Sequence, residues 1–129
     1  MNNSKILIVE DEALIAESLR LDLVNMGYSV FRLVDSGEEA VDQAREFKPD
    51  LILMDISLRG KMDGKAAAEK IYREIDSSIP VIFLTGYAGV DWIEHAKQGR
   101  KYKLLVKPIN EKALKDYVQS ALSKQPRTK

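Results

Sequence analysis

Leu51-Ile52-Leu53-Met54-Asp55 sets four apolar residues directly before an acid. An apolar run of that length, between Pro49-Asp50 and a turn region at 60–64 that opens and closes on glycine, is the pattern of a strand buried on both faces. Its terminal acid then stands at the rim of the sheet, where open α/β folds bind their ligands.

The chain on either side repeats a strand–helix alternation. Toward the N-terminus, Lys5–Val9 is a short β-branched run that ends at Glu10-Asp11-Glu12. Ile15, Leu19, Leu23 and Met26 then recur at the spacing of one helical face, and Gly27 sits just past that helix's end. Residues 28–34 form a second strand pattern. Ser36 and Glu39 fit a capping box for a second helix with Ala40, Val41, Ala44 and Phe47 on its apolar face, and Pro49 stops it.

Toward the C-terminus, a loop over 56–63 leads through Gly64 into a helix over 65–75, with Ala67, Ala68 and Ile71 facing inward. A fourth strand over 81–84 ends at Thr85-Gly86, and a short helix is expected over 90–97. Tyr102–Val106 is a fifth strand, followed by Lys107-Pro108. Asn110 caps a last helix in which Leu114, Val118 and Ala121 or Leu122 face the core. Five strands alternating with five helices imply right-handed βαβ units and a doubly wound parallel sheet covered on both faces. Residues 1–123 read as one domain and 124–129 as a basic tail or linker stub.

The composition agrees with that size. At 129 residues the chain can bury a core without covalent staples, and with no cysteine it has no disulfide. No apolar run approaches the roughly 20 residues needed to span a bilayer. The first strand begins where a signal peptide would have its apolar segment, so a cytoplasmic location is expected. Charge balances overall but not locally: residues 1–64 hold 13 acids and 7 bases, residues 65–129 hold 7 acids and 13 bases. A neutral chain is a poor ligand for nucleic acid, and the basic half reads as a solvated face or a docking surface for an acidic partner.

The chemistry is concentrated at the C-terminal ends of the strands. Glu10 and Asp11 come directly after the first, Asp55 ends the third, Thr85 comes after the fourth and Lys107 after the fifth. In a doubly wound sheet these strand ends share one edge. Carboxylates converging there repel one another unless a cation joins them, and oxygen-only donors suit a hard ion such as Mg2+. Mg2+ beside a lysine and a hydroxyl describes a phosphoryl site, in which a carboxylate can itself be the nucleophile. A surface acid pair or a strand-end lysine alone is ordinarily only solvated. What carries weight is their conjunction, each after a different apolar strand.

The sequence resembles a receiver domain of the two-component response-regulator family over residues 4–123. The matching segments are LIVEDE (7–12), LILMD (51–55), MDG (62–64), VIFLTG (81–86) and VKPI (106–109). The resemblance implies a flavodoxin-like fold with strand order 2-1-3-4-5. It implies that Asp55 accepts a phosphoryl group from a sensor histidine kinase or phosphotransfer protein. Mg2+, which Mn2+ could replace, would be held by Glu10, Asp11, Asp55 and the backbone carbonyl of Ser57, while Thr85 and Lys107 contact the phosphoryl oxygens. It further implies a cis Lys107–Pro108 peptide and a switch on the face from strand four to the last helix. A downstream partner or linked output domain, or a phosphorylation-dependent homodimer, would read that face.

The sequence departs from the family pattern in three places. The loop after Asp55 lacks a proline and is one residue longer, with an extra glycine, Gly60. Leu104 stands where an aromatic switch residue is usual, leaving Tyr102 or Tyr87 as substitutes. Ser57 and Tyr87 occupy the positions that tune water access to the phosphoryl group, and the bulk of Tyr87 is expected to slow hydrolysis. Outside the pattern, His95 reads as a surface histidine, and Trp92 and Ile93 as core or contact residues. The alternatives are a Mg2+-dependent phosphohydrolase with an aspartyl nucleophile, which would want an acid where Ser57 stands, and a degenerate receiver that only binds partners.

Overall fold

The computed structural model describes residues 4–86 and 102–123. The expected helix over 90–97, with Trp92, Ile93 and His95, lies outside the described residues, as do Tyr87 and the tail over 124–129.

Strands β1 (Lys5–Val9), β2 (Ser29–Val34), β3 (Leu51–Asp55), β4 (Val81–Thr85) and β5 (Tyr102–Val106) form one parallel sheet in the order β2-β1-β3-β4-β5. The described helices are α1 (Ala13–Asn25), α2 (Gly37–Phe47), α3 (Gly64–Glu74) and α4 (Glu111–Ser123). The expected topology is therefore the observed one. It comes from sequence period: β3 and β4 are buried along their whole length, as central parallel strands under two layers of helix must be.

Alternation along the strands divides the core in two. Ile52, Met54, Val81 and Phe83 meet Ala40, Val41 and Ala44 of α2 and Ala67, Ala68 and Ile71 of α3. Leu51, Leu53, Ile82 and Leu84 meet Leu19 and Leu23 of α1 and Leu114 and Val118 of α4. Each fully buried Leu, Ile or Met contributes roughly 1.5–3 kcal/mol, so the four apolar residues of β3 anchor the strand that carries Asp55.

Element ends obey the local signals, with two refinements. Ser36 Oγ accepts from the Glu39 N–H at 3.1 Å, while the Glu39 carboxylate accepts from the Asp35 N–H at 3.5 Å rather than from Ser36 itself. Helix α3 starts one residue earlier than expected because Asp63 caps it, accepting from the Ala66 N–H at 2.9 Å. Lys48 ends α2 in the left-handed region at φ 48°, its N–H still donating to the Ala44 carbonyl, and Pro49 beyond it cannot continue the helix. Gly27 has φ +97°, the conformation expected just past a helix end. Asn110 Oδ1 caps α4 by accepting from the Ala113 N–H at 2.9 Å.

Candidate functional site

The register brings the strand ends level. Val9 pairs with Met54, Asp55 with Leu84, and Thr85 with Val106, so the residues just past β1, β3, β4 and β5 share one edge. Glu10 is tied there by its backbone N–H to the Val34 carbonyl at 3.0 Å. Its side chain turns inward, and Oε2 accepts from the Glu12 N–H at 3.1 Å. Glu10, Asp55 and Thr85 are the buried polar residues of the described chain. Asp11 lies beside them, partly buried.

Backbone groups fix Asp55 from two sides. The Ser57 N–H donates to its Oδ1 at 3.0 Å. Gly64, at the start of α3, donates its N–H to the Ile56 carbonyl at 3.0 Å. A Cβ on Gly64 would stand 2.2 Å from the Asp55 carbonyl oxygen, so the helix can press against the strand end only with glycine there. Across the sheet, the Lys107 N–H donates to the Thr85 carbonyl at 2.7 Å, joining the ends of β4 and β5. The Lys107–Pro108 peptide is cis.

Glu10, Asp11 and Asp55 each place a carboxylate oxygen within 4.8 Å of the others. The Lys107 ammonium reaches Glu10 Oε1 at 3.2 Å and Asp55 Oδ2 at 3.3 Å. Asp11 Oδ2 accepts from the Arg59 backbone N–H at 3.2 Å, and the Arg59 Nε stands 3.4 Å from the same oxygen. Burial first, and then repulsion from Asp55, push the Glu10 carboxyl up to about 7, against the opposing pull of the Glu12 N–H and Lys107. Lys107 is itself raised: burial opposes its charge, but attraction to Asp55 and Glu10 outweighs it.

This donor set fits a hard divalent cation. It offers three oxygens from three side chains and no nitrogen or sulfur. A carboxyl driven up by burial and then by its neighbour's charge sits among negative charge that a further cation would relieve. From the acids, an open groove of about 560 Å³ runs between α1 and the end of β2, past Leu14 and Leu33.

The sequence-derived candidates divide by position. Glu10, Asp11, Asp55 and Lys107 meet, and Thr85 stands on the same edge. Ser57 is exposed just beyond Asp55. Leu104 and Tyr102 share one strand face and one core layer. Tyr102 pairs with Val81, at the opposite end of β5 from Lys107, and its buried ring meets Phe83 edge-on at 5.0 Å between centroids. Two contributions were not read from the sequence. Arg59 looks like any solvated loop residue, and its partner is 48 residues away. The role of Gly64 is a backbone approach that no spacing rule displays.

A parallel sheet in this order, with an acid triad, a hydroxyl and a lysine at the carboxyl edge, defines a phosphoacceptor receiver domain. The chain belongs to that family: the model of the response regulator receiver domain matches residues 6–119. The transcriptional regulatory protein PdtaR of Mycobacterium tuberculosis is 33% identical over 120 residues, which are 93% of this chain and 57% of that protein. The chain therefore spans little more than half of that relative. Sporulation initiation phosphotransferase F of Bacillus subtilis is 33% identical over 122 residues, covering 95% of this chain and 96% of that one. Among solved structures, the receiver domain of a Pseudomonas aeruginosa sensor histidine kinase, with a magnesium ion coordinated in its active-site cleft, superposes with a TM-score of 0.82. It is 30% identical and covers 95% of this chain and 100% of that one.

Proposed function

We propose that Asp55 is the phosphoacceptor of a Mg2+-dependent switch, taking its phosphoryl group from a phosphohistidine on a sensor kinase or phosphotransfer protein. The observation that carries this reading is the meeting of Glu10, Asp11 and Asp55 within 4.8 Å, with Lys107 bridging two of them. Glu10, Asp11, Asp55 and the Ser57 carbonyl would hold Mg2+ or Mn2+. When bound, that ion supplies charge neutralisation for the phosphoryl oxygens.

The protein's own groups do the rest. The Ser57 N–H holds one Asp55 oxygen, leaving the carboxylate oriented for attack. As the Asp55 O–P bond forms, the donor's P–N bond breaks and the leaving imidazole takes up a proton. Lys107, already on Asp55 Oδ2, then pairs with the phosphoryl oxygens, and the Thr85 hydroxyl closes on them. The acyl phosphate biases two arrangements of the face from β4 to α4, and that face is read by a partner, an output domain or a second copy. The domain works in the cytoplasm, and it contacts neither membrane nor nucleic acid.

Turnover as a phosphohydrolase would want a carboxyl two residues past the nucleophile. That position is Ser57, whose N–H serves Asp55, so the product persists as a signal rather than being discharged as in an enzyme cycle. Incubation with Mg2+ and a small acyl phosphate, with intact-mass measurement and phosphate release as readouts, tests this. One base-labile phosphoryl group per chain is expected. Sustained phosphate release would make the domain an enzyme, and an unmodified chain would make it a binding module.

A further inference from the structure

The three acids are not balanced alike. Lys107 spans Glu10 and Asp55, whereas Asp11 faces Arg59 from the solvent side. The Arg59 side chain is 79% exposed and that of Asp11 only 9%, so the guanidinium lies over a largely covered carboxylate. Its place is set by the loop. Leu58 is buried in the α2–α3 layer, and Gly60 turns the chain immediately afterwards with φ +92°. Arg59 is thus held between an anchor and a turn in the segment where the loop is longer than the family pattern. Its backbone N–H orients Asp11 Oδ2, and its side chain brings a full charge to the same oxygen.

We propose that Arg59 is an internal competitor for the divalent cation: the guanidinium neutralises Asp11 in the metal-free domain and must give up that carboxylate as the cation binds. The proposal rests on reading the acid triad as a metal site. Only the arginine of this pair is exposed, and a guanidinium standing in solvent is screened by salt and loosely held, so it can be displaced. A divalent ion nevertheless feels twice the repulsion a monovalent one would from that fixed charge. Arg59 would then set the Mg2+ concentration at which the domain becomes competent, while keeping Asp11 from adding to the repulsion already acting between Glu10 and Asp55.

The test is Mg2+ titration calorimetry on the full chain as wild type, Arg59→Ala and Arg59→Lys, at low and high ionic strength. Arg59→Ala is expected to bind Mg2+ roughly three- to tenfold more tightly. Arg59→Lys, which keeps the charge, should stay within about twofold of wild type, and the gap between wild type and Arg59→Ala should narrow as salt rises. In the wild type, the Arg59 Nε–H resonance should shift on Mg2+ addition. A purely structural arginine would change the melting temperature without changing the Mg2+ constant. Equal or weaker Mg2+ binding by Arg59→Ala, or equal tightening by Arg59→Lys, overturns the proposal while leaving the metal site standing. A wild-type chain that takes up no Mg2+ overturns both.

Discussion

Glu10 links the acidic site to the stability of the metal-free fold. Its carboxyl is raised from 4.5 to about 7, by burial first and then by Asp55. The side chain is fully covered and bonded to Lys107 and the Glu12 N–H, so solvent does little to soften the effect. A carboxyl whose folded value lies above its unfolded one stabilises the fold fully below the unfolded value. That contribution is lost as pH rises through the folded value. That difference corresponds to roughly 3 kcal/mol once Glu10 is fully ionised.

The perturbation is Glu10→Gln, which keeps the shape and an acceptor for Lys107 but removes the titration. In urea melts without divalent cation, the two proteins should differ little near pH 5. By pH 8 the variant should be the more stable by about 2–3 kcal/mol. Taking the difference cancels the single histidine, which both proteins share. Saturating Mg2+ should reverse the order at pH 8, because the wild type gains more from the ion. Parallel stability curves from pH 5 to 8, or a wild type that gains on the variant as pH rises without metal, would refute the placing of Glu10 in an overcharged buried cluster.

Two further substitutions probe how the site is held. Gly64→Ala should destabilise the domain by about 1–3 kcal/mol and slow phosphorylation, because the new methyl meets the Asp55 carbonyl at 2.2 Å; urea melts and a phosphorylation time course check this, and a neutral variant would mean α3 is free to retreat. Tyr102→Leu removes a buried ring set edge-on against Phe83 and should cost about 1–3 kcal/mol. Because it lies at the far end of β5 from Lys107, its phosphorylation rate should stay at the wild-type value. Loss of the phosphorylation-dependent gain in partner affinity in that variant would make Tyr102 the switch residue in place of an aromatic at 104.

The sheet was legible because central parallel strands must be apolar on both faces, and LILMD and VIFL have few other readings. The acid triad was legible for a related reason. A polar residue that directly ends such a run has only the sheet edge to occupy, and Glu10, Asp55, Thr85 and Lys107 all do so. Asp63 as the α3 cap was hidden in a loop already rich in turn signals. Arg59 was hidden because its pairing with Asp11 spans 48 residues of chain and depends on the buried Leu58 and the turn at Gly60. Tyr102 shows the opposite limit. Alternation assigned it correctly to the face of Leu104, but only the β4–β5 register shows that it stands opposite Val81 rather than near Thr85.

The most direct test of the central claim is chemical trapping of the acyl phosphate. The chain is treated with Mg2+ and a small acyl phosphate, reduced with borohydride and sequenced by mass spectrometry. An aspartyl phosphate should be converted to homoserine at position 55 and nowhere else, and the conversion should vanish without Mg2+ or in Asp55→Asn. Homoserine at another acid, or unchanged labelling of Asp55→Asn, would contradict the account.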